Sequence, residues 1–191
     1  MLVLASASER RKEILEKLGL DFIQCVPDVE EAVCEDAYEG VRKNALAKAR
    51  WCASKHPEHL VLGYDTVVLL DEKVLGKPAT RDEAYQFLSM LSGRAHTVVS
   101  GIAVVCLAKR IEVVDFEETR VFFRKLGEAE IEWYLNTNEW VGKAGGYGIQ
   151  GKASLFVERI EGCYFNVVGL PVGKTYEMLV ETGVRLQDFM V

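Results

Sequence analysis

The run Leu60-Val61-Leu62-Gly63-Tyr64-Asp65-Thr66-Val67-Val68-Leu69-Leu70 constrains this chain more than any other segment. It is nearly continuous in apolar residues rather than alternating, the mark of a strand covered on both faces, and with His59 it predicts a strand over 59–70. Such a strand belongs inside an α/β sheet flanked by helices. Asp65 interrupts it. A carboxylate in that place must be paired, coordinate a metal or carry a shifted pKa. Asp71-Glu72 then reads as a two-residue turn, and counting back from it sets Leu70 opposite Lys73 and Thr66 opposite Lys77. That count brings Lys77 beside Asp65, at the end of a return strand over Val74–Lys77.

The flanking segments agree with an α/β chain. Leu2–Ala5 is a short apolar strand, and Ser6-Ala7-Ser8-Glu9 fits a capping box with Ser6 as N-cap, opening a helix that Gly19 closes. Asp36 to about Ser54 reads as a second helix, and Thr80-Arg81-Asp82-Glu83 caps a third with Ala84, Phe87, Leu88 and Leu91 inward. Long strands over about 96–107 and 110–123 follow, then a helix over Glu128–Asn136. Leu155–Ile160 and Tyr164–Val168 predict a hairpin across Glu161-Gly162, and Pro171 opens a last helix ending near Gly183. No repeat or Pro/Ser-rich linker divides the 191 residues, so one domain with a mixed sheet is expected.

Composition removes several functions. Lys and Arg total 23 against 29 Asp and Glu, and the net charge of −6 argues against a general nucleic-acid binder while allowing a local anion pocket. Five cysteines, odd in number and without C-x-x-C, argue against a disulfide framework or zinc ribbon and for a reducing cytoplasm. Charge appears by Glu9, too early for a secretory signal. The longest uncharged stretch, Ala95–Ala108, falls short of the roughly 20 residues a membrane helix needs. Three histidines, with no G-x-S-x-G or H-E-x-x-H, disfavour a histidine metal site or a serine triad.

Other anomalies point to chemistry. Arg10, Arg11 and Lys12 crowd a helix start, where the dipole favours anions, so Ser6, Ser8 and the arginines would build either a phosphate site or a capped helix with solvated cations. Lys48 falls inside the apolar stripe shared by Val41, Ala45 and Cys52, where an ammonium must snorkel or meet an anion. Lys143-Ala144-Gly145-Gly146-Tyr147-Gly148-Ile149-Gln150-Gly151 allows close backbone approach to a ligand. It lacks the following helix of a dinucleotide fingerprint and the Ser/Thr of a P-loop, since Ala153 follows Lys152. Asp28, Glu30 and Glu31 form either a solvated loop or a source of oxygen ligands for Mg²⁺.

These pieces, in order, resemble the Maf family: Leu4-Ala5-Ser6-Ala7-Ser8-x-Arg10-Arg11, Glu31, Ala47-Lys48-Ala49, Asp65-Thr66-Val67-Val68, Gly76-Lys77-Pro78, Ser92-Gly93-Arg94-x-His96, the Lys143–Gly151 loop and Asn166-Val167-Val168-Gly169-Leu170-Pro171. The resemblance spans nearly the whole chain. It implies a single Maf-like domain over 1–191 with an elongated two-lobed mixed-sheet α/β fold, resembling inosine triphosphatase-like pyrophosphatases, with the site in a central cleft. It implies a nucleoside triphosphate pyrophosphatase of the dTTP/UTP-type subgroup that uses a divalent cation, Mg²⁺ or Mn²⁺. Asp65 falls on the family's catalytic carboxylate, as proton acceptor or metal ligand, and Glu31, Lys48 and Lys77 fall on its charged site residues. Glu31 and Asp65 would hold the metal; Ser8, Arg10 and Arg11 would bind phosphate; Thr66 and Gln150 would read the base. Glu9 departs from the proline usual in the family. A non-enzymatic nucleotide-binding regulator of septum formation and cell division, or a pyrophosphatase for 7-methyl-GTP or other non-standard nucleotides, are the alternatives; a small-molecule nucleotide partner, a cytoplasmic location and, as an option, a homodimer are the remaining expectations.

Overall fold

The computed structural model describes residues 1–190; Val191, the last residue of the expected domain, lies outside them. In chain order the elements are β1 (Leu2–Ala5), α1 (Glu9–Lys17), β2 (Phe22–Cys25), α2 (Ala37–Lys55), β3 (Leu60–Leu70), β4 (Lys73–Leu75), α3 (Arg81–Leu91) and β5 (Ala95–Cys106). They continue with β6 (Ile111–Phe123), α4 (Glu128–Leu135), β7 (Val157–Glu161), α5 (Tyr164–Val168) and α6 (Val172–Glu181). One sheet carries the strand order β2-β1-β3-β5-β6-β7, with β4 paired to β3. It is mixed: β1 pairs in parallel with β2 and β3, while β4 on β3 and β7 on β6 are antiparallel. The chain divides into two compact units, the first holding Met1–Asp65, Ser100–Glu117 and the stretch from Gly169, the second Thr66–Val99 and Glu118–Val168.

In the first unit α2 covers the sheet. Asp36 Oδ1 accepts from the Tyr38 N–H at 2.9 Å and starts the helix, which stops at His56 before Pro57. Ala45, Ala49, Cys52 and Ala53 pack against Val3, Ala5, Val61, Ala103 and Val105. Small residues on the helix meet Gly63 on β3, where a Cβ would lie 2.4 Å from the Ala45 carbonyl oxygen and 2.8 Å from the Ala49 Cβ. The glycine therefore lets the helix sit almost directly on the strand.

The second unit has its own core, in which Leu88, Leu91, Val98, Phe123, Tyr134 and Phe156 are nearly fully buried. Thr80 Oγ1 accepts from the Glu83 N–H at 3.2 Å and caps α3 as expected, while the Glu83 carboxylate accepts from the Ala79 N–H at 2.7 Å, one residue earlier than a capping box requires. Burying each leucine of α3 contributes about 1.5–3 kcal/mol of transfer free energy.

Three local expectations are corrected. Ser6 is not the cap of α1, which begins at Glu9 with Ser8 in the N-cap position and no side-chain cap bond. Ser6 Oγ is engaged elsewhere, accepting from the Ser8 N–H at 3.2 Å and from Arg11 Nη1 at 3.0 Å. The hairpin count holds for Leu70↔Lys73, Leu69↔Val74 and Val68↔Leu75, but β4 then ends. The Gly76 carbonyl is taken by the Gly145 N–H at 2.9 Å, so the ladder does not carry on to Lys77. Finally, Tyr164–Val168 is a helix rather than a strand. Leu155 and Phe156 belong to a 3-10 turn, and β7 pairs directly with β6. Thr119 Oγ1 bonds both the N–H and the carbonyl of Cys163, and Asn166 Nδ2 bonds the Val98 carbonyl and Thr119, so the chain is turned back before a second strand can form.

Candidate active site

Asp65 lies in the middle of β3 and is only 7% exposed, so its carboxylate needs partners. It has two. Lys48 Nζ donates to Oδ1 at 2.7 Å and Asn44 Nδ2 donates to Oδ2 at 3.1 Å. Lys48 and Asn44 are four residues apart in α2 and share a face one turn apart, which the close seat on Gly63 aims at Asp65 two residues further along β3. Lys48 does not snorkel away: its ammonium also lies 2.6 Å from Glu31 Oε1. Glu31, Lys48 and Asp65, singled out separately in the sequence, thus meet at one nitrogen. Asn44 was missed, although its spacing from Lys48 was the available signal.

Arg11 is the second cation held nearby in the first unit. Its Nε donates to the Gly169 carbonyl at 2.6 Å, its Nη1 bonds Ser6, and its guanidinium lies 5.6 Å from the Tyr64 ring centre. Burial lowers its pKa to about 10, against an opposing pull from Asp65, so it stays cationic at neutral pH. Tyr64, whose phenol contacts Thr175 Oγ1 at 3.2 Å, is pushed up by burial and stays protonated. Ser8 and Arg10 stand at the start of α1, both half-buried. The strand, the Ser6–Ser8 loop and the helix N-terminus form the expected arrangement, with Ser6 tied to the arginine instead of to the helix.

Thr66, Lys77 and Gln150 belong to the second unit. Thr66 is half-buried in β3, and Lys77 and Gln150 are exposed. The glycine-rich segment is anchored within that unit on both sides. Gly145, at φ +67°, packs where a Cβ would lie 2.8 Å from Val68 Cγ2, and its N–H bonds the residue before Lys77. Tyr147 OH meets His96 Nε2 at 2.7 Å, with Phe123 edge-on to both rings. A loop expected to read a base is therefore stiff near its middle.

A divalent cation suits the carboxylates of the first unit. Among the described residues no group of three or more His, Cys, Asp and Glu is arranged to hold a metal. Glu31 and Asp65, however, present two oxygen donors around the same ammonium. Mg²⁺ is commonly held by one or two carboxylates together with substrate phosphates and water, which this pair fits.

Within a mixed-sheet α/β fold, the aspartate buried against Lys48 and the arginine tied to Ser6, ahead of α1, give the fixed charges that an enzyme site uses. The chain belongs to the Maf family: residues 1–182 match the family described as Maf-like protein. It is similar to the "dTTP/UTP pyrophosphatase" of Symbiobacterium thermophilum, 47% identical over 95% of this chain and 94% of that one. The proteins of the same name from Alkaliphilus oremlandii and Desulforamulus reducens are 48% and 46% identical, covering 91% and 97% of this chain and 91% and 98% of theirs. Among solved structures, the Staphylococcus aureus Ham1 protein aligns with a TM-score of 0.46 at 17% identity, over 64% of this chain and 71% of that one. The protein is a hydrolase of this family. No helix among the described residues is long and apolar enough to cross a membrane.

Proposed function

We propose that this hydrolase is a nucleoside triphosphate pyrophosphatase that cleaves dTTP and UTP to the monophosphate and pyrophosphate. The observation that carries the reading is the convergence of Glu31 and Asp65 on Lys48, at 2.6 and 2.7 Å; the names of the relatives supply the substrate class.

Hydrolysis at the α-phosphorus needs a positioned water, an acceptor for its proton and positive charge on the phosphate oxygens. Asp65 accepts the proton as the water oxygen bonds to phosphorus. The bond from the α-phosphorus to its bridging oxygen breaks, and pyrophosphate leaves with that electron pair. Lys48, donating to Asp65 Oδ1 at 2.7 Å, orients that carboxylate and neutralises charge on the phosphates. Arg11, Arg10, Ser8 and Lys77 bind the triphosphate, and Thr66 and Gln150 hydrogen-bond the pyrimidine. A bound Mg²⁺ or Mn²⁺, held by Glu31 and Asp65, would supply further charge stabilisation at the phosphates.

The test is product analysis with dTTP and Mg²⁺. Pyrophosphate and dTMP are expected in equal amounts, and Asp65→Asn is expected to reduce turnover about 10²–10⁴-fold while the protein stays folded. Release of orthophosphate in place of pyrophosphate, or an Asp65→Asn variant within a few-fold of wild type, would overturn the reading.

A further inference from the structure

Asn44 is buried, with 8% of its surface exposed. Its side chain makes three hydrogen bonds. Oδ1 accepts from the Ala32 N–H at 2.8 Å, and Nδ2 donates to the Ala32 carbonyl at 3.2 Å and to Asp65 Oδ2 at 3.1 Å. The amide thus engages both backbone groups of one residue, as a strand neighbour would, and spends its second donor on Asp65.

What it holds explains why this matters. Residues 26–36 join β2 to α2 without helix or strand, and Glu31, Ala32 and Val33 are exposed. A segment of that kind has little burial to fix it, yet it delivers the Glu31 carboxylate to 2.6 Å from Lys48. Besides that ion pair to Lys48, the segment is tied to α2 through its backbone by the Asn44 amide, on the residue next to Glu31. At the other end, Asp65 has Lys48 on Oδ1 and Asn44 on Oδ2, so neither oxygen is left to swing about the broad carboxylate torsion. An amide kept only to satisfy the Ala32 backbone would have no reason to reach Asp65.

We propose that Asn44 is a positioning residue: its amide clamps the Glu31 segment and the Asp65 carboxylate to one face of α2, and so sets how the two carboxylates are presented to the substrate. The proposal rests on the assignment of Glu31, Lys48 and Asp65 as the reacting group. Leucine, of similar size, removes all three bonds; aspartate keeps an acceptor for the Ala32 N–H but removes both donors and sets a like charge beside Asp65. With dTTP and Mg²⁺, both Asn44→Leu and Asn44→Asp are expected to lower kcat about 10–100-fold, the usual cost of losing a partner that orients a ligating carboxylate. KM should stay within about 3-fold, because Asn44 does not bind the nucleotide.

Hydrogen exchange on the nucleotide-free proteins separates the two halves of the clamp. Amides of residues 26–36 should exchange faster in Asn44→Leu and near the wild-type rate in Asn44→Asp, with α2 protected in both. An Asn44→Leu enzyme with wild-type kcat, or one whose loss comes with faster exchange throughout α2, would overturn the proposal and leave Asn44 a packing residue. A wild-type protein that releases no pyrophosphate from any nucleoside triphosphate would instead sink the functional reading, while the exchange contrast still reports on the clamp.

Discussion

Lys48 shows what a cation costs and supplies when it is taken out of water. Its side chain is 12% exposed and faces two carboxylates at once, leaving the trio with a net negative charge. The buried Lys48–Asp65 pair adds little net stability because desolvation offsets most of the attraction, and the pair with exposed Glu31 adds little because water screens it. Their value lies in a fixed charge pattern, which is what phosphate chemistry uses. His96 is the opposite case, a buried ionisable group with no counter-ion beside it among the described residues. Its Nε2 faces Tyr147 OH at 2.7 Å, its Nδ1 has no hydrogen-bond partner among the described residues, and Phe123 stands edge-on to the ring. Burial lowers its pKa from 6.5 to about 4, so the folded protein holds it neutral. Below about pH 6.5 the unfolded chain binds a proton that the folded chain refuses, so the stability present above that pH is lost as pH falls towards 4, by up to about 3 kcal/mol. Glutamine can keep the bond to Tyr147 and does not titrate. The urea midpoint of His96→Gln should therefore fall less than that of wild type between pH 7.5 and pH 4.5. Parallel falls in the two proteins would show that His96 does not contribute to the acid sensitivity.

Among the elements, the seat of α2 on the sheet decides whether Lys48 can reach Asp65 at all. Gly63 precedes Asp65 by two residues, and a Cβ there would strike the Ala45 carbonyl and the Ala49 Cβ, which bracket Lys48 in the helix. Gly101 on β5 receives the same helix, with the Val41 carbonyl 2.1 Å from a Cβ placed on it. A side chain at position 63 cannot be relieved by a rotamer change, since backbone is in the way, so the helix must lift. Gly63→Ala is expected to destabilise by about 1–3 kcal/mol and to lower kcat beyond what that loss explains; a variant in the core of the second unit such as Leu91→Ala, of equal or greater instability, should keep its activity at a temperature where both are folded. Equal kcat in the two variants would mean that the seat does not set the site. The periodic signals behind these elements were legible. The nearly continuous apolar run gave β3 to within a residue, Asp36 and Thr80 marked the starts of α2 and α3, and the wheel position of Lys48 flagged it as anomalous. Segments decided by distant partners were not. Ser6 and Glu9 satisfy a capping pattern locally, but Arg11 competes for the hydroxyl. A five-residue apolar stretch such as Tyr164–Val168 suits strand or helix equally until Thr119 and the Val98 carbonyl claim its neighbours and Asn166. Asn44 was only half legible: its spacing put it on the face of Lys48, but nothing in its own segment announces Ala32.

For the molecule as a whole, a net charge of −6 sets an acidic protein against a polyanionic substrate, so attraction must come from a few placed cations rather than from the overall field. The proposed reading gives the phosphates to Ser8, Arg10, Arg11, Lys48 and Lys77, which leaves selectivity to groups that contact the base. Gln150 is exposed at the end of a segment held by Gly145 and Tyr147, and it carries both a donor and an acceptor, the complement of a uracil or thymine edge. A site that pairs those groups rejects a purine by leaving buried polar atoms without partners, whereas none of the assigned residues addresses the 2′-hydroxyl or the C5 methyl group. UTP and dTTP should therefore both be hydrolysed, with CTP, GTP and 7-methyl-GTP used poorly. Replacing Gln150 by glutamate removes the donor and adds a charge, and is expected to lower kcat/KM for UTP and dTTP by about 10–100-fold. Because the residue is exposed, stability should move by no more than about 0.5 kcal/mol. Steady-state kinetics for the five nucleotides on both proteins, with urea unfolding alongside, checks each part. A wild-type preference for 7-methyl-GTP would remove the pyrimidine assignment, and an unchanged profile in Gln150→Glu would remove Gln150 from base recognition while leaving the chemistry at Asp65 intact.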